Sequence, residues 1–292
     1  MATATSARDA QPGFIYGTAW KKDETRRLVK EALAAGFRRF DTAAQPRHYQ
    51  EHLVGDALRD ALADGPITRE DVYIQTKYTT PAGQDLANMP YDPNAPLDTQ
   101  IRTSVASSLH NLRFNTTYSH VDCLLLHSPL PTIQETLQAW KVLETYVPEA
   151  IRTLGISNVT LPVLEAIYNN ATVKPAVVQN RFYEQTGYDV SLRAYCKERG
   201  ITYQSFWTLT GNPGLLDSKV VGGLADAAGV GQAVALYALV LNLGVEVLNG
   251  TTSAGHMRED LDGIVQVAQW AQENGKKWDR IAAAFRKVVG DV

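Results

Sequence analysis

Short apolar segments alternate with helical patterns along almost the whole chain. Residues 121–127 read Val-Asp-Cys-Leu-Leu-Leu-His, a nearly continuous apolar run that is typical of a strand buried on both faces. Seven further segments also have the pattern of short strands, and most of them end in polar or aromatic residues. They are 14–18, 38–41, 72–77, 152–157, 176–179, 201–206 and 245–248. The pattern therefore predicts eight strands.

Helical patterns fill the intervals between these strands. In the first interval, apolar residues at helical spacing precede a stop at Gly36. Residues 132–135 read Thr-Ile-Gln-Glu, a capping box that begins another helix. Two segments differ: 79–96 is a long loop rich in proline, glycine and asparagine, and 208–229 has no clear period. Long loops inside compact domains are usually functional or disordered.

Eight strands, each followed by a helix through a short connection, predict a closed (β/α)8 barrel with parallel strands. The length of 292 residues agrees with this fold, since such barrels commonly contain about 250 residues. An open, doubly wound sheet is the alternative. No glycine-rich fingerprint follows the first strand, however, and Gly229-Val230-Gly231 lies between helical segments. We expect a flexible tail at 1–12 and a single barrel domain at 13–292.

Composition and charge narrow the classes of function. The chain is 45% hydrophobic and 20% charged, and its net charge of −3 without a basic run argues against nucleic-acid binding. No apolar stretch reaches the length of about 18 residues that indicates a transmembrane helix, and the N-terminus does not resemble a signal peptide. Cys123 and Cys196 lie inside predicted elements, so we expect buried thiols in a reducing compartment. These features predict a cytoplasmic protein without a membrane partner and, by default, a monomer.

The functional site of such a barrel lies at the C-terminal ends of its strands. Asp41, Lys77 and His127 end three successive strands, and Tyr49 follows the first of them in a loop. A phenol with a pKa of about 10 is a weak acid at neutral pH, but a nearby ammonium group lowers that pKa. Asp41 would hold Lys77 charged, and His127 would donate to a carbonyl oxygen. The set predicts a proton donor beside a site for an electrophile, as carbonyl reduction requires.

With these residues the chain resembles the aldo-keto reductase superfamily. The matching segments, in chain order, are Gly17-Thr18, 36–43 (Gly-Phe-Arg-Arg-Phe-Asp-Thr-Ala), Glu51 with Val54-Gly55, Lys77, 125–127 (Leu-Leu-His), 155–158 (Gly-Ile-Ser-Asn), 174–179 (Lys-Pro-Ala-Val-Val-Gln) and the turn after the eighth strand. The resemblance implies a catalytic tetrad. Its members would be Asp41, Tyr49, Lys77 and His127. It also implies that Ser157, Asn158 and Gln179 bind the amide of a nicotinamide cofactor.

The resemblance implies further contacts with this cofactor. Phe206 replaces the tyrosine that usually stacks on nicotinamide, and its ring still supplies a flat face. Gly250 and His256 stand where the family usually has lysine and arginine for the 2′-phosphate, so we expect NADPH but also consider NADH possible. Threonines and N–H groups at the start of the following helix would also bind an anion. The expected cofactor-binding residues are Gly17, Thr18, Ser157, Asn158, Gln179, Phe206, Trp207, Leu209, Asn249, Gly250, Thr251, Thr252, His256, Glu259 and Asp260.

The proton donor and the substrate contacts are less defined. The segment from Asp41 to Tyr49 is longer than the usual family spacing, and counting back from Glu51 places His48 at the tyrosine position. Both His48 and Tyr49 therefore remain candidates for the proton donor. The expected substrate is a small carbonyl compound. Its predicted contacts are Trp20, His48, Tyr78 and Tyr91.

Some of these residues also match other kinds of site. Asp41 and Lys77, taken alone, are equally compatible with a structural ion pair. Residues 48–52 read His-Tyr-Gln-Glu-His and match the H-x-x-E-H signature of zinc peptidases. The motif crosses a junction between loop and helix and has no evident third ligand, so we expect no metal. A regulatory subunit that binds nicotinamide without turnover is another class, and the intact tetrad argues against it.

Overall fold

The fold is a closed barrel of eight parallel strands in chain order, which confirms the predicted (β/α)8 architecture. The computed structural model describes residues 13–65, 67–114 and 120–291, so the expected tail at 1–12 lies outside the described residues. The strands are β1 (Phe14–Gly17), β2 (Arg39–Asp41), β3 (Tyr73–Tyr78), β4 (Val121–Leu126), β5 (Ile151–Ser157), β6 (Val177–Arg181), β7 (Thr202–Phe206) and β8 (Glu246–Asn249). Pairing of β1 with β8 closes the barrel.

Helices surround the strands. They are α1 (Thr25–Ala35), α2 (Glu51–Asp64), α3 (Leu97–Leu112), α4 (Ile133–Glu144), α5 (Leu161–Asn170), α6 (Val190–Glu198), α7 (Pro213–Leu216), α8 (Lys219–Ala228), α9 (Gln232–Leu241), α10 (Ala254–Glu273) and α11 (Gly275–Val288). The predicted capping box begins α4, where Thr132 and Glu135 each accept a hydrogen bond from the other's backbone N–H.

The segment 208–229 is more helical than its sequence predicted, because it contains α7 and α8. Ser218 caps α8 by accepting a hydrogen bond from the N–H of Val221. Gly222 and Gly223 lie inside α8, and glycine is a poor helix former. These two glycines weaken the helical pattern in the sequence. The helix is stabilised instead by packing of its apolar face.

The main hydrophobic core lies between the strands and the helices. Phe40, Ile74 and Leu126 from the strands belong to one cluster with Trp140 of α4. Side chains alternate along a strand, so the intervening residues point into the barrel. Some of these form a second, smaller cluster of Cys123, Leu125 and Val177.

A largely buried polar network occupies another part of the barrel interior. Arg39 pairs with Glu246, with 2.5 Å between Nη1 and Oε1. Gln204 donates to Glu246 Oε2 at 3.0 Å and accepts from Gln75 at 2.9 Å. Gln75 in turn donates to Asp41 Oδ1 at 2.7 Å. The network satisfies its buried amide groups and reaches Asp41 at the C-terminal end of the barrel.

Gly55 lets α2 lie directly against the end of α3. A Cβ atom at this position would lie 1.9 Å from the carbonyl oxygen of Asn111. The Asn111 side chain donates to Glu51 at 3.1 Å, and Glu51 also accepts from Thr76 of β3 at 2.5 Å. These contacts fix the first residue of α2 and therefore the end of the loop that carries Tyr49.

Two expectations from composition bear on this fold. Cys123 and Cys196 are both free and buried, as predicted. No single helix in the described part of the chain is long and apolar enough to cross a membrane. Helices α8 and α9 meet that criterion only as a pair, by length and composition, and the pair is bent by 104°.

Candidate active site

A cavity of about 1370 Å³ opens at the C-terminal ends of the strands. Most of the residues predicted from strand ends and from the turn after β8 line it. They are Gly17, Trp20, Asp41, His48, Tyr49, His127, Ser157, Asn158, Gln179, Phe206, Trp207, Leu209, Asn249, Gly250, Thr251, Thr252, His256, Glu259 and Asp260. Parallel strands deliver these residues to one end of the barrel although they are distant in sequence.

Asp41 and Lys77 form a buried ion pair at this end. Lys77 Nζ lies 2.5 Å from Asp41 Oδ2 and also donates to the carbonyl oxygen of Thr42 at 2.9 Å. The two side chains are 1% and 2% exposed. Asp41 Oδ1 accepts hydrogen bonds from Gln75 and Gln179 at 2.7 and 3.0 Å. Burial lowers the pKa of Lys77, and the Asp41 carboxylate opposes this effect.

The Tyr49 ring lies close to this pair. Its centroid is 5.2 Å from Lys77 Nζ and 6.0 Å from the His127 ring. The Lys77 ammonium is directed at Asp41 and the backbone instead of the phenol. The pKa of Tyr49 is raised, first by burial and then by the Asp41 carboxylate. We expected a lowered pKa from Lys77, but in this structure desolvation and the carboxylate prevail.

His48, the other candidate proton donor, packs against Trp20. Their ring centroids are 3.6 Å apart, and the backbone N–H of Trp20 donates to the carbonyl oxygen of His48 at 2.7 Å. His48 Nδ1 is buried without a hydrogen-bond partner among the described residues, and burial lowers the pKa of the ring. Trp20 is 65% exposed at the mouth. Both candidates therefore border the cavity.

His127 follows β4 on the cavity wall. Its carbonyl oxygen accepts from Asn158 Nδ2 at 2.9 Å, and its Nδ1 lies 2.7 Å from Thr79 Oγ1. Burial, followed by the charges of Lys77 and His48, lowers the pKa of His127 to about 3. The imidazole is therefore neutral at physiological pH.

Ser157 and Asn158, at the end of β5, lie beside Gln179 in the middle of β6. Ser157 Oγ donates to the carbonyl oxygen of Gln179 at 2.6 Å, and Asn158 Nδ2 donates to Ser157 Oγ at 3.2 Å. Gln179 Nε2 donates to Asp41 at 3.0 Å, which leaves its Oε1 as an acceptor. Phe206 lines the same cavity from the end of β7.

The turn between β8 and α10 is organised by its own side chains. Thr251 N–H donates to Asn249 Oδ1 at 2.9 Å, and Ser253 N–H donates to Thr251 Oγ1 at 3.1 Å. His256 N–H donates to Ser253 Oγ at 3.3 Å. Asn249 is held by Asp260, with 2.6 Å between Nδ2 and Oδ2. Several N–H groups that we expected to bind an anion are thus already paired within the turn.

Lys21 brings a cation to this turn and was not among the predicted site residues. Its ammonium donates to the carbonyl oxygen of Gly250 and lies 3.9 Å from the place a Cβ would occupy there. Lys21 lines the cavity although it is only 8% exposed, and burial lowers its pKa. The sequence does show that Lys21 follows a predicted strand by a few residues, which is the feature that could have identified it. The structure adds that β1 pairs with β8, and this pairing brings Lys21 to the turn after β8.

Comparison with known proteins decides the family. A sequence model of the Aldo/keto reductase family matches residues 12–286 of the chain. The chain belongs to this family. It is accordingly an NAD(P)H-dependent aldo-keto reductase, as the resemblance of its motifs predicted.

Proteins similar to this aldo-keto reductase include two named enzymes and one solved structure. Methylglyoxal reductase DkgA of Escherichia coli O157:H7 is 27% identical over 242 residues, which cover 82% of this chain and 78% of that protein. Glycerol 2-dehydrogenase (NADP(+)) of Hypocrea jecorina is 27% identical over 308 residues, covering 91% and 90%. A silkworm (Bombyx mori) aldo-keto reductase complexed with NADPH has the same fold, with a TM-score of 0.69, 19% identity and coverage of 88% and 84%.

Two residues of this aldo-keto reductase that we predicted to face the substrate lie elsewhere. Tyr78 and Tyr91 are 1% and 5% exposed and are not among the described residues that line the cavity. The Tyr91 hydroxyl donates to the carbonyl oxygen of Thr79 at 2.5 Å. The reason is that Tyr78 alternates with Lys77 along β3 and packs in the main core, while the loop 79–96 folds back onto the end of that strand.

Thr18 also lies beneath the cavity surface, and two arginines line the cavity instead. The N–H and hydroxyl of Thr18 both donate to the carbonyl oxygen of Asp41, at 3.0 and 2.9 Å. The Arg181 guanidinium lies 4.3 Å from the centroid of a Trp207 ring, and Arg258 lines the cavity from α10. Arg181 follows Gln179, a predicted cofactor ligand, by two positions on β6, so the two side chains lie on the same face of the strand. This spacing is the feature of the sequence that could have identified Arg181.

The residues of the H-x-x-E-H segment do not share one helix in this aldo-keto reductase. Helix α2 begins at Glu51, so His48 precedes the helix and His52 lies exposed on it. Glu51 is buried and accepts from Thr76 at 2.5 Å. Within the described ranges, no group of three or more histidine, cysteine or acidic side chains is placed to hold a metal ion.

Proposed function

We propose that this aldo-keto reductase reduces an aldehyde or ketone to an alcohol, with NADPH as the preferred cofactor. The observation that carries this proposal is that Asp41, Tyr49 and His127 line one cavity, while Lys77 is buried in an ion pair with Asp41 and lies 5.2 Å from the Tyr49 ring. A barrel that only bound a nucleotide would need neither a phenol nor a neutral imidazole beside a buried ion pair.

The size and the lining of the cavity support binding of a nicotinamide dinucleotide. Its volume of about 1370 Å³ exceeds the range of about 300–1,000 Å³ found for ordinary small-ligand sites. Gln179 Oε1 would accept from the carboxamide, Phe206 would stack on the ring, and Lys21 would pair with a phosphate. The bound cofactor would supply the hydride that reduces the carbonyl carbon.

Side chains of the protein would supply the proton and stabilise the charges that form. His127, neutral and fixed on the cavity wall, would donate a hydrogen bond to the substrate's carbonyl oxygen. Tyr49 would transfer its proton to that oxygen as negative charge develops there. An alkoxide is more basic than a phenolate, so a phenol with a raised pKa can still act as the acid. Lys77, kept charged by Asp41, would stabilise the resulting phenolate.

Absorbance of NADPH, followed with a panel of carbonyl compounds, tests the proposal. The panel includes methylglyoxal, and glycerol with NADP⁺ for the reverse direction, because similar proteins carry those names. It also includes aromatic aldehydes, because Trp20 and Trp207 are 65% and 51% exposed at the mouth. We expect one alcohol formed for each NADPH oxidised. Tight binding of NADPH without turnover of any compound would instead favour the regulatory subunit.

We further propose that the protein acts on small molecules as a monomer in the cytoplasm. The two buried free thiols, Cys123 and Cys196, support a reducing compartment. Sedimentation of the purified protein with and without NADPH tests the monomer.

Cofactor preference yields a prediction at the β8 turn. A charge-assisted hydrogen bond contributes about 1.5–3 kcal/mol and a neutral one about 0.5–1.5 kcal/mol, so a turn with Gly250 should favour NADPH only moderately. We expect Gly250→Lys to raise the NADPH-to-NADH ratio of kcat/KM about 10-fold. The ratio is measured for the wild type and the variant under the same conditions. A wild type that prefers NADH, or a variant without a gain, would contradict this placement of the 2′-phosphate.

Lys21→Met extends the same measurement. If Lys21 holds the 2′-phosphate, the variant should lose kcat/KM with NADPH and keep it with NADH. Equal losses with both cofactors would place Lys21 on the diphosphate that they share. Lys22→Met is the matched control, because the neighbouring Lys22 is exposed and is not among the described residues that line the cavity.

Metal removal gives another prediction. We expect carbonyl reduction to survive dialysis against a chelator, because His48 and His52 lie in different surroundings and their shared motif does not form one site. Elemental analysis of the same preparation should find no stoichiometric zinc. Loss of turnover that added zinc restores would revive the peptidase interpretation of residues 48–52.

A further inference from the structure

The Thr79 hydroxyl is bonded directly to the ring of His127. Thr79 Oγ1 lies 2.7 Å from His127 Nδ1, and Thr79 is 3% exposed. His127 borders the cavity, and in the described surroundings its other ring nitrogen, Nε2, has no hydrogen-bond partner. The side of the ring that faces the protein is therefore occupied, and Nε2 is available to a ligand.

The chemistry of the two groups selects one proton arrangement. A neutral imidazole has one donor nitrogen and one acceptor nitrogen, and a hydroxyl has a single proton to donate. If Thr79 donates to Nδ1, the hydroxyl proton is used and Nε2 carries the ring proton. In the opposite arrangement Thr79 accepts from Nδ1, and its own proton has no acceptor among the described residues. A buried donor without a partner is unfavourable, so the first arrangement is preferred.

We propose that Thr79 is a positioning residue that holds His127 as the tautomer protonated at Nε2, so that the ring presents a hydrogen-bond donor to the cavity. The consequence for catalysis rests on the proposed function, since that donor would bind the substrate's carbonyl oxygen. In the opposite tautomer Nε2 would present a lone pair to the same oxygen and repel it.

The long loop 79–96 holds Thr79 in place. The Tyr91 hydroxyl donates to the carbonyl oxygen of Thr79 at 2.5 Å, and Gln84 Nε2 donates to the same oxygen at 3.3 Å. Gln84 also donates to the carbonyl oxygen of Ala44 at 2.7 Å, which ties the loop to the segment after β2. A Cβ at Gly83 would lie 2.8 Å from Thr79 Cγ2, so the loop packs tightly on this side chain. The loop thus braces the residue that orients His127.

Nuclear magnetic resonance of protein labelled with ¹⁵N-histidine reads the tautomer directly. His127→Asn, which lacks the signals of this ring, assigns them. We expect the wild type to carry the proton at Nε2 and Thr79→Val, which keeps the shape but removes the hydroxyl, to show a mixture of tautomers. Thr79→Ser should restore the wild-type spectrum. Thr80→Val is the matched control, because the neighbouring Thr80 makes no side-chain cap, and it is Thr79 that bonds to the ring.

Activity measurements separate this inference from the proposed function. With a carbonyl substrate, Thr79→Val should lower kcat/KM about 3- to 10-fold, the scale of one neutral hydrogen bond, and leave NADPH affinity unchanged. Thr79→Ser should recover most of the loss. A wild-type ring protonated at Nδ1, or a Thr79→Val ring that stays wholly protonated at Nε2, would overturn the inference. If the tautomers are as predicted but no carbonyl compound is turned over, the inference about Thr79 is supported and the proposed function is wrong.

Discussion

Replacing Tyr49 by phenylalanine is expected to lower kcat/KM for carbonyl reduction by about 10²-fold or more, the usual scale of a lost general acid. The change removes one oxygen and keeps the ring that lies 6.0 Å from His127 and 5.2 Å from Lys77 Nζ. NADPH affinity and thermal stability should therefore stay close to wild type. Steady-state kinetics and fluorescence titration of NADPH, measured on the same preparation, test both expectations.

His48 supplies the matched comparison, because it is the other candidate proton donor. His48→Phe keeps a flat ring against Trp20, where the two centroids are 3.6 Å apart, and removes both ring nitrogens. If Tyr49 is the acid, His48→Phe should change KM more than kcat. Near-normal turnover in Tyr49→Phe together with a large loss in His48→Phe would assign the proton to His48.

The strands were predictable because burial on both faces leaves a strong local signal. Residues 121–126 are all buried in β4, as their nearly continuous apolar run indicated. Helix α8 was less predictable, since Gly222 and Gly223 hide its pattern and its stability comes from tertiary packing. The boundaries of the strands differ from the predicted ones by only one or two residues, as at β3, which extends to Tyr78.

The location of the site was predictable from strand ends, whereas its hydrogen bonds were not. A parallel barrel brings residues such as Asp41 and Gln179 to one end whatever their separation in sequence. The contacts of Lys21 with the β8 turn and of Thr79 with His127 depend on side-chain directions across different elements. The raised pKa of Tyr49 likewise depends on how much water the fold excludes, and residue order does not report that.

The second large effect is expected from Lys77→Met, which removes one member of the buried ion pair and keeps most of its volume. Asp41 would then remain buried with a charge that only amide groups compensate. Breaking a buried pair in this way typically costs about 3–5 kcal/mol in the free energy of unfolding. We expect that loss in urea titrations, together with loss of carbonyl reduction, because the ammonium beside Tyr49 disappears as well.

Two further variants separate stability from chemistry. Arg102→Met removes one partner of an exposed pair with Asp98, in which the side chains are 46% and 49% exposed, so it should cost no more than about 1 kcal/mol. The double variant Asp41→Asn/Lys77→Met leaves no unpaired charge and should recover part of the stability while staying inactive. A Lys77→Met protein that is as stable as Arg102→Met would show that the pair is not desolvated. If the double variant recovers activity as well as stability, Asp41 and Lys77 form only a structural ion pair.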